Sequence, residues 1–270
     1  MSNPKMGGNG KSEIKIVSSL DDCILKEDGH IIEVFGPPKS GKTWQIKNLI
    51  DSLQENPEFM NLRPNFNYKV LKIDLKSQRS KTNRYSFHRS IAEAHAYNLR
   101  RVRLRKKNAD VNLNELDLVI ADRGPIDDNH WAFALSIEGE LSEEQRDSCF
   151  ALSREAEGLV NAGILVYVSP EEALSRENQI IREKTGHDRR IGSVMNQTSL
   201  RNLCELYQLT QVGIPYKEER REIMLARRPV LFVDTTPEGS KEVNAKKIYD
   251  YVLQLSVPTT EEYKINGQTA

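Results

Sequence analysis

The chain has 270 residues, of which 38% are hydrophobic, and it carries 39 basic and 39 acidic side chains. This length and apolar content are enough for an α/β domain with a hydrophobic core. The balanced charge excludes a whole-chain electrostatic attraction to nucleic acid or to a membrane, so any such attraction must be local. No apolar stretch approaches the length of a transmembrane helix, and the N-terminus lacks an apolar signal segment, so we expect a cytoplasmic protein.

Composition divides the chain into one folded region between two polar ends. Residues 1–12 are rich in Gly, Asn, Ser and Lys and are expected to be disordered, and residues 258–270 are expected to form a loose tail. Residues 13–257 contain no internal repeat and no low-complexity linker, which predicts a single domain. The three cysteines lack metal-ligand spacing and are expected to be buried or free thiols: Cys23, Cys149 and Cys204.

Five apolar segments separated by amphipathic stretches predict the strands of one parallel sheet with helices on both faces. These segments cover residues 31–35, 68–75, 116–121, 163–168 and 230–233. Apolar residues at spacings of three and four predict helices between the strands, including one over residues 87–105. Ser142 and Ser169 begin capping-box patterns, which mark the first turns of two of these helices. The chain is therefore assigned to the α/β class.

The first predicted strand leads directly into a glycine-rich loop and then into a helix. Residues 36–43 read GPPKSGKT, which is the G-x-x-x-x-G-K-T pattern of the Walker A phosphate loop. Gly36 and Gly41 allow a close approach to phosphate oxygens, and the backbone N–H groups of the loop attract an anion. Lys42 supplies a charge for the β- and γ-phosphates, and the Thr43 hydroxyl suits Mg²⁺. The residues predicted to bind ATP, with GTP left open, are Gly36, Pro38, Lys39, Ser40, Gly41, Lys42, Thr43 and Trp44.

The third predicted strand ends in Asp122-Arg123. An aspartate in this place assists Mg²⁺ in phosphate-loop proteins, which makes Asp122 and Thr43 the predicted metal ligands. In hydrolytic motors a glutamate that activates water usually follows the aspartate, whereas Arg123 stays protonated and cannot act as a base. An arginine can hold a phosphate or hydroxyl of a second substrate instead. The alternative is an ordinary buried ion pair at the end of a strand.

Two further features distinguish between classes of phosphate-loop protein. The sequence lacks an Asn-Lys-x-Asp segment of the kind with which GTPases recognise guanine, which favours transfer of a phosphoryl group to a bound acceptor. Several arginines follow the fourth strand, on a helix and the polar loop after it, where a closing lid would stabilise the charge of the transferring group. A solvated helix face is the alternative for any one of them. The arginines are Arg176, Arg182, Arg189 and Arg190.

Together these segments resemble the nucleoside and nucleotide kinases of the phosphate-loop superfamily, in particular thymidylate kinase and the deoxynucleoside kinases. The resemblance is carried by GPPKSGKT, by ADRG at the end of the third strand, by YVSPEEALSREN before the lid and by the final VLFVDTTPEGSKEVNAKKIYDYVLQ. It covers most of residues 30–255. It implies a three-layer P-loop NTPase fold with a five-stranded parallel sheet in the order 2-3-1-4-5, ATP at the carboxyl edge, and an arginine-bearing lid.

The resemblance also implies roles for single residues. It places Lys42 on the phosphates, Asp122 near the metal and Arg123 on the acceptor. It makes Arg182 and Arg189 the lid arginines. Family members carry a carboxylate at the end of the second strand, and Asp74 is the residue here that fills this place as general base or orienter. The chain departs from the family after Arg123, where it has Gly124-Pro125 in place of a tyrosine or serine.

The sequence therefore predicts a Mg²⁺-dependent kinase that transfers the γ-phosphoryl group of ATP to a small acceptor, a nucleoside or nucleotide. One alternative is a polynucleotide 5′-hydroxyl kinase, because residues 100–107 are densely basic and lie in the part of the fold that covers the acceptor. A second alternative is a regulatory nucleotide-binding ATPase without a small acceptor. A solvated helix face also explains the basic stretch. The identity of the acceptor and the oligomeric state, a homodimer included, are left open.

Overall fold

A computed structural model describes residues 14–73, 83–105, 113–186, 197–218, 221–236 and 240–256, apart from the side chains of residues 184 and 185. The strands in these ranges are β1 (Ile16–Val17), β2 (Cys23–Phe35), β3 (Tyr68–Leu71), β4 (Asn114–Asp122), β5 (Ala162–Tyr167), β6 (Tyr216–Glu218), β7 (Arg221–Ile223) and β8 (Val230–Asp234). The helices are α1 (Lys42–Glu55), α2 (Pro57–Leu62), α3 (Arg84–Leu104), α4 (Pro125–Ile137), α5 (Glu143–Glu157), α6 (Pro170–Thr185), α7 (Gln197–Gln211) and α8 (Ser240–Ser256).

The main sheet has six strands in the order β1-β3-β4-β2-β5-β8, and each neighbouring pair is parallel. The α/β class and the predicted order 2-3-1-4-5 are confirmed, but the predicted number of strands is wrong. The sixth strand, β1, adds to the edge beside β3. It has only two residues, which is too short for a periodic pattern in the sequence. The first predicted strand is also longer than expected, because β2 begins at Cys23.

Alternating residues of β2 serve two hydrophobic cores, one on each face of the sheet. Ile31 and Phe35 pack into the core that also contains buried residues of α3, α4, α5 and α7. Ile32 and Val34 pack into the second core, together with residues of α1 and α8. Successive side chains of a strand point to opposite faces, so a strand covered on both sides reads as a continuous apolar run. This arrangement places the carboxyl end of β2, and the loop after it, between two rigid layers.

A second, two-stranded sheet lies outside the main one and was not predicted. Strands β6 and β7 form an antiparallel hairpin within a segment that reads as highly charged in the sequence. Arg146 of α5 holds this hairpin: its side chain is fully buried and its guanidinium pairs with the Glu218 carboxylate of β6. The guanidinium carbon also lies 5.3 Å from the centre of the Phe133 ring and 6.0 Å from that of Phe150. A charged residue therefore takes a core position here.

Several smaller expectations have outcomes in the structure. Ser142 forms both hydrogen bonds of its capping box, and Ser169 Oγ accepts a hydrogen bond from the Glu172 N–H at 3.2 Å. All three cysteines are buried and free, as predicted. In the described ranges, no helix has both the length and the apolar character needed to cross a membrane. The predicted tails, residues 1–12 and 258–270, lie outside the described residues.

Candidate active site

The loop between β2 and α1 has the backbone conformation that a phosphate-binding loop requires. Gly36 has a φ of 135°, and a Cβ on this residue would lie 2.2 Å from the carbonyl oxygen of Val166 in the neighbouring strand segment. Only glycine fits so close to another backbone. Lys39 and Gly41 also have positive φ, at 63° and 89°, which turns the chain into the first residue of α1. The loop thus carries its N–H groups on a tight, preformed turn.

Lys42, the first residue of α1, folds back over this loop. Its Nζ donates hydrogen bonds to the carbonyl oxygens of Gly36 at 2.8 Å and Pro37 at 2.7 Å, and to Ser40 Oγ at 3.2 Å. Burial of the ammonium group and the nearby Arg123 charge lower the pKa of Lys42 to about 7. Losing water disfavours a charged amine, and a neighbouring cation disfavours it further. Lys42 is therefore a buried, dehydrated amine within reach of an anion bound by the loop.

Asp122, the last residue of β4, lies beside this loop because β4 pairs with β2. The register places Asp122 opposite Val34, and Val34 is two residues before Gly36. The carboxylate is buried, with 5% of its side chain exposed, and Asp122 Oδ2 lies 2.5 Å from Lys72 Nζ. Lys72 follows the last residue of β3, and the Leu71–Ala121 register places it next to Asp122. The predicted metal ligand thus has a cationic partner that sequence reasoning did not identify.

Arg123 is linked to the phosphate loop through a buried carboxylate, Asp127 of α4. Arg123 Nη1 donates to Asp127 Oδ2 at 3.2 Å, and the Gly36 N–H donates to Asp127 Oδ1 at 3.2 Å. Tyr207 of α7 donates its hydroxyl proton to the same Oδ1 at 2.6 Å. Burial acts to raise the pKa of Asp127, but the Arg123 and Lys42 charges keep it below its ordinary value. Asp127 therefore remains ionised and joins the loop, Arg123 and α7.

A second buried carboxylate, Glu33 of β2, caps the N-terminus of α4. Glu33 Oε1 accepts hydrogen bonds from the N–H groups of Gly124 at 2.9 Å and Asp127 at 2.7 Å, and Oε2 accepts from Ile126 at 2.9 Å. Burial raises the pKa of Glu33 well above its ordinary value, although the hydrogen bonds from Ile126 and Asp127 oppose this shift. A Cβ on Gly124 would lie 2.8 Å from this carboxyl group. A side chain at position 124 would therefore clash with the Glu33 carboxyl group.

Replacing Glu33 by glutamine is expected to destabilise the protein by about 1–3 kcal/mol, the cost of leaving a buried polar group without a partner. The amide of Glu33→Gln keeps one acceptor oxygen but turns an NH₂ group toward an N–H donor of α4. Chemical denaturation would measure the change in the free energy of unfolding. Glu55→Gln, at the exposed end of α1, is the matched control and should change stability by less than about 0.5 kcal/mol. Equal stability of the two variants would contradict the capping role of Glu33.

Arg176 of α6 connects the phosphate loop to the end of β8. Its Nη1 donates to the carbonyl oxygen of Lys39 at 3.2 Å, and its Nη2 donates to that of Thr235 at 2.6 Å. The Thr235 hydroxyl lies 2.9 Å from Ser40 O. Of the four arginines predicted to form a lid, Arg176 therefore lies against the loop. Arg182 lies further along α6 with an exposed side chain.

The Trp131 ring, on which His88 stacks, lies beside Arg123. The Arg123 guanidinium carbon lies 5.9 Å from the centre of the Trp131 ring, and His88 of α3 stacks on the same ring at 6.4 Å. In the sequence, four residues are candidates for the wall of a base site, with core packing as the alternative for each: Phe87, His88, Trp131 and Phe133. The structure separates Phe133 from this set, because its ring is buried in the core against Phe150 and Tyr216. Of this set, Trp131 and His88 therefore stack on one another beside Arg123.

The remaining predicted residues are placed as follows. Thr43 is exposed in the first turn of α1, and the half-buried Trp44 ring has the Lys241 ammonium 5.8 Å from its centre. Asp74, Arg189 and Arg190 lie outside the described residues. Within the described part of the basic stretch, every arginine contacts an acceptor of its own chain. The contacts are Arg100 with Glu155, Arg101 with Asp21, Arg103 with Gly29 O and Arg105 with Asp21 O.

Some residues of this site were missed at the level of sequence. Glu33 left a detectable signal, since a charged residue inside the apolar run of residues 31–35 must find a partner when the strand is buried. Asp127 also left one, as a carboxylate in the first helical turn after Asp122-Arg123. Lys72 and Tyr207 left none, because their partners are far away in the chain. Lys72 and Asp122 are 50 residues apart, and Tyr207 and Asp127 are 80 apart.

Comparisons with known proteins agree with this geometry at the level of the fold. No protein-family model matches the chain, and no curated protein matches it. The deoxyadenosine kinase from M. mycoides with the products dCMP and a flexible dCDP bound is 14% identical and has a TM-score of 0.51. That comparison covers 83% of this chain and 97% of the kinase. The same kinase with dCTP bound is 16% identical, with a TM-score of 0.45, over 82% of this chain and 99% of the other. The chain has a P-loop nucleoside kinase-like fold.

Proposed function

We propose that the protein is a Mg²⁺-dependent phosphotransferase that moves the γ-phosphoryl group of ATP to a nucleoside or nucleotide. The observation that carries this proposal is the link between the phosphate loop and Arg123 through Asp127, which holds the Gly36 N–H and the Arg123 guanidinium at once. A permanently charged arginine beside the loop suits a second substrate and cannot activate water. The nucleoside kinase-like fold supports the same class of reaction, although a fold alone does not define an activity.

The oxygen atoms of Asp122 and Thr43 fit a magnesium ion, which prefers carboxylate and hydroxyl ligands. Among the described residues, no group of three or more His, Cys, Asp and Glu side chains could hold a metal by itself. This agrees with the usual mode of Mg²⁺ binding, in which one or two carboxylates share the ion with the phosphates of a nucleotide. Bound in this way, the ion would neutralise charge on the β- and γ-phosphates.

Residues of the chain would bind the phosphates, orient the acceptor and exclude water. Lys42 would exchange its contacts with Gly36 O and Pro37 O for phosphate oxygens, with the loop N–H groups as further donors. Arg123 would orient the acceptor, and Arg182 and Arg189 would cover the transferring group and exclude water. Asp74 would orient or deprotonate a hydroxyl acceptor. Each contribution is electrostatic or positional, as expected for phosphoryl transfer.

Incubation with γ-labelled ATP and Mg²⁺ tests this proposal when several classes of acceptor are offered. The panel contains nucleosides, nucleoside monophosphates and 5′-hydroxyl oligonucleotides. We expect label on a nucleoside or a monophosphate. Label on the oligonucleotide would favour the polynucleotide kinase, and label in free phosphate alone would favour an ATPase. Nucleotide binding without any turnover would favour a regulatory module, and each of these three results would overturn the proposal.

A further inference from the structure

At the carboxyl edge of β3 and β4, two ion pairs each have the cation nearer to solvent and the carboxylate buried. Lys72 pairs with Asp122, and Arg123 pairs with Asp127. In each pair the cation is the accessible partner: 38% of the Lys72 side chain and 35% of the Arg123 side chain are exposed, against 5% for Asp122 and 2% for Asp127. In both pairs the cation is therefore the partner that faces solvent. An anion that approaches from solvent meets the cations first.

Lys72 is held in place by its backbone as well as by its side chain. Its N–H donates a hydrogen bond to the carbonyl oxygen of Val17 in β1 at 2.9 Å. The preceding residue, Leu71, is paired with β4 on its other side. The short sixth strand therefore has a consequence for the site, since it fixes the backbone from which the Lys72 ammonium reaches the sheet edge. A lysine ammonium on a four-carbon stem can move between neighbouring oxygen atoms without a change in the backbone.

We propose that Lys72 binds a phosphate group on the acceptor, so that the acceptor is a nucleoside monophosphate and not an uncharged nucleoside. This inference rests on the proposed phosphotransferase function. Lys72 would move from Asp122 to the acceptor phosphate, and Asp122 would become available to the Mg²⁺–triphosphate. Arg123 follows Asp122 in the chain and lies over the Trp131 ring. Its guanidinium would hold the same acceptor phosphate from a second side. Lys42 serves the triphosphate and is not part of this contact.

The described carboxylates at this edge already have partners, which favours a phosphate acceptor over a hydroxyl acceptor. Asp122 is paired with Lys72, Asp127 accepts from Arg123, Gly36 and Tyr207, and Asp128 Oδ2 lies 2.6 Å from His95 Nδ1. A hydroxyl acceptor would require one of them, or Asp74, to take its proton. A phosphate monoester has its second pKa near 6, so its oxygen is already deprotonated at neutral pH.

The transfer step balances without a general base. An oxygen of the acceptor phosphate attacks the γ-phosphorus of ATP and forms a new P–O bond. The bond between the γ-phosphorus and the oxygen that bridges it to the β-phosphate breaks, and that oxygen leaves with ADP. The acceptor becomes a nucleoside diphosphate, and no proton is transferred. Lys72 and Arg123 reduce the repulsion between the two anionic substrates.

Calorimetric binding measurements test the inference separately from turnover. Each nucleoside monophosphate and its matching nucleoside are titrated into the protein in the presence of Mg²⁺ and a β,γ-imido analogue of ATP. We expect one monophosphate to bind at least about tenfold more tightly than its nucleoside. Lys72→Met should weaken that binding by about ten- to a hundredfold, the usual range for loss of a charged hydrogen bond, and Lys72→Arg should restore most of it.

Two controls separate a local effect from a loss of structure. Lys69→Met changes a lysine within β3, three residues before Lys72, whose charge lowers the pKa of Asp22 away from this site. This variant should bind the monophosphate like the wild type. The affinity of Lys72→Met for the ATP analogue should stay within about twofold of the wild type. A parallel loss of affinity for the analogue would place Lys72 on the triphosphate, or indicate an unfolded site, and would overturn the inference.

The labelled-ATP panel separates failure of the inference from failure of the proposed function. Label on a monophosphate, together with the loss of affinity in Lys72→Met, supports both. Label on an uncharged nucleoside, with monophosphates inert, overturns the acceptor class and leaves the phosphotransferase function intact. An unchanged monophosphate affinity in Lys72→Met overturns the role of Lys72 alone. Absence of label on every acceptor overturns the proposed function and the inference with it.

Discussion

Replacing Lys42 by methionine is expected to lower the rate of phosphoryl transfer by about a thousandfold, in the range found when one preorganised charge at a transition state is removed. Lys42 Nζ donates hydrogen bonds to three acceptors of the phosphate loop, so the side chain is held against the loop. The fold should persist, because Lys42→Met removes a charge whose burial is unfavourable and keeps most of the packing. The measurement is the initial rate of label transfer from γ-labelled ATP under saturating acceptor.

The matched control for this variant is Lys47→Met, one and a half turns further along α1 on its exposed face. That variant should retain the wild-type rate. Circular dichroism and a thermal melt of Lys42→Met exclude trivial unfolding. A folded Lys42→Met protein that transfers label at a rate within about threefold of the wild type would contradict the central role of the phosphate loop in the proposed function.

Replacing Arg146 by alanine is expected to cost about 3–5 kcal/mol of stability, the range found when one partner of a buried ion pair is removed. The side chain is fully buried, pairs with Glu218 and has its guanidinium close to the rings of Phe133 and Phe150. Alanine would remove the charge partner of Glu218 and leave a space beside two aromatic rings. Chemical denaturation would give the change in the free energy of unfolding.

Two related variants make the test of Arg146 specific. Arg146→Met fills the space beside the rings but lacks the charge, so it should cost less than Arg146→Ala. Arg221→Ala removes ion pairs between β7 and α5 that are exposed to solvent, and it should cost less than about 1 kcal/mol. Similar losses in Arg146→Ala and Arg221→Ala would show that burial does not distinguish the two arginines, and would contradict the argument.

The local elements of the fold were predictable because each has its own pattern. The segment around Lys42 has a strand, a glycine-rich loop and an amphipathic helix in direct succession, and the capping box at Ser142 marks the start of α5. The pairing of β1 was not predictable, since two residues carry no period, and neither was the hairpin held by Arg146. The charged sequence of that hairpin is typical of a solvated loop, and nothing local indicates that Glu218 pairs with the buried Arg146.

The sequence by itself determined the α/β class and the phosphate-loop motif between a strand and a helix, whereas the strand order was implied by the resemblance to phosphate-loop kinases. It could do so because hydrophobic periods and glycine-rich turns depend on neighbouring residues in the chain. Only the tertiary structure decided that Lys72 pairs with Asp122 and that Asp127 joins Arg123 to Gly36. These contacts depend on strand register and on the packing of α4 against β2, which bring together residues far apart in the chain. A local pattern contains no information about such partners.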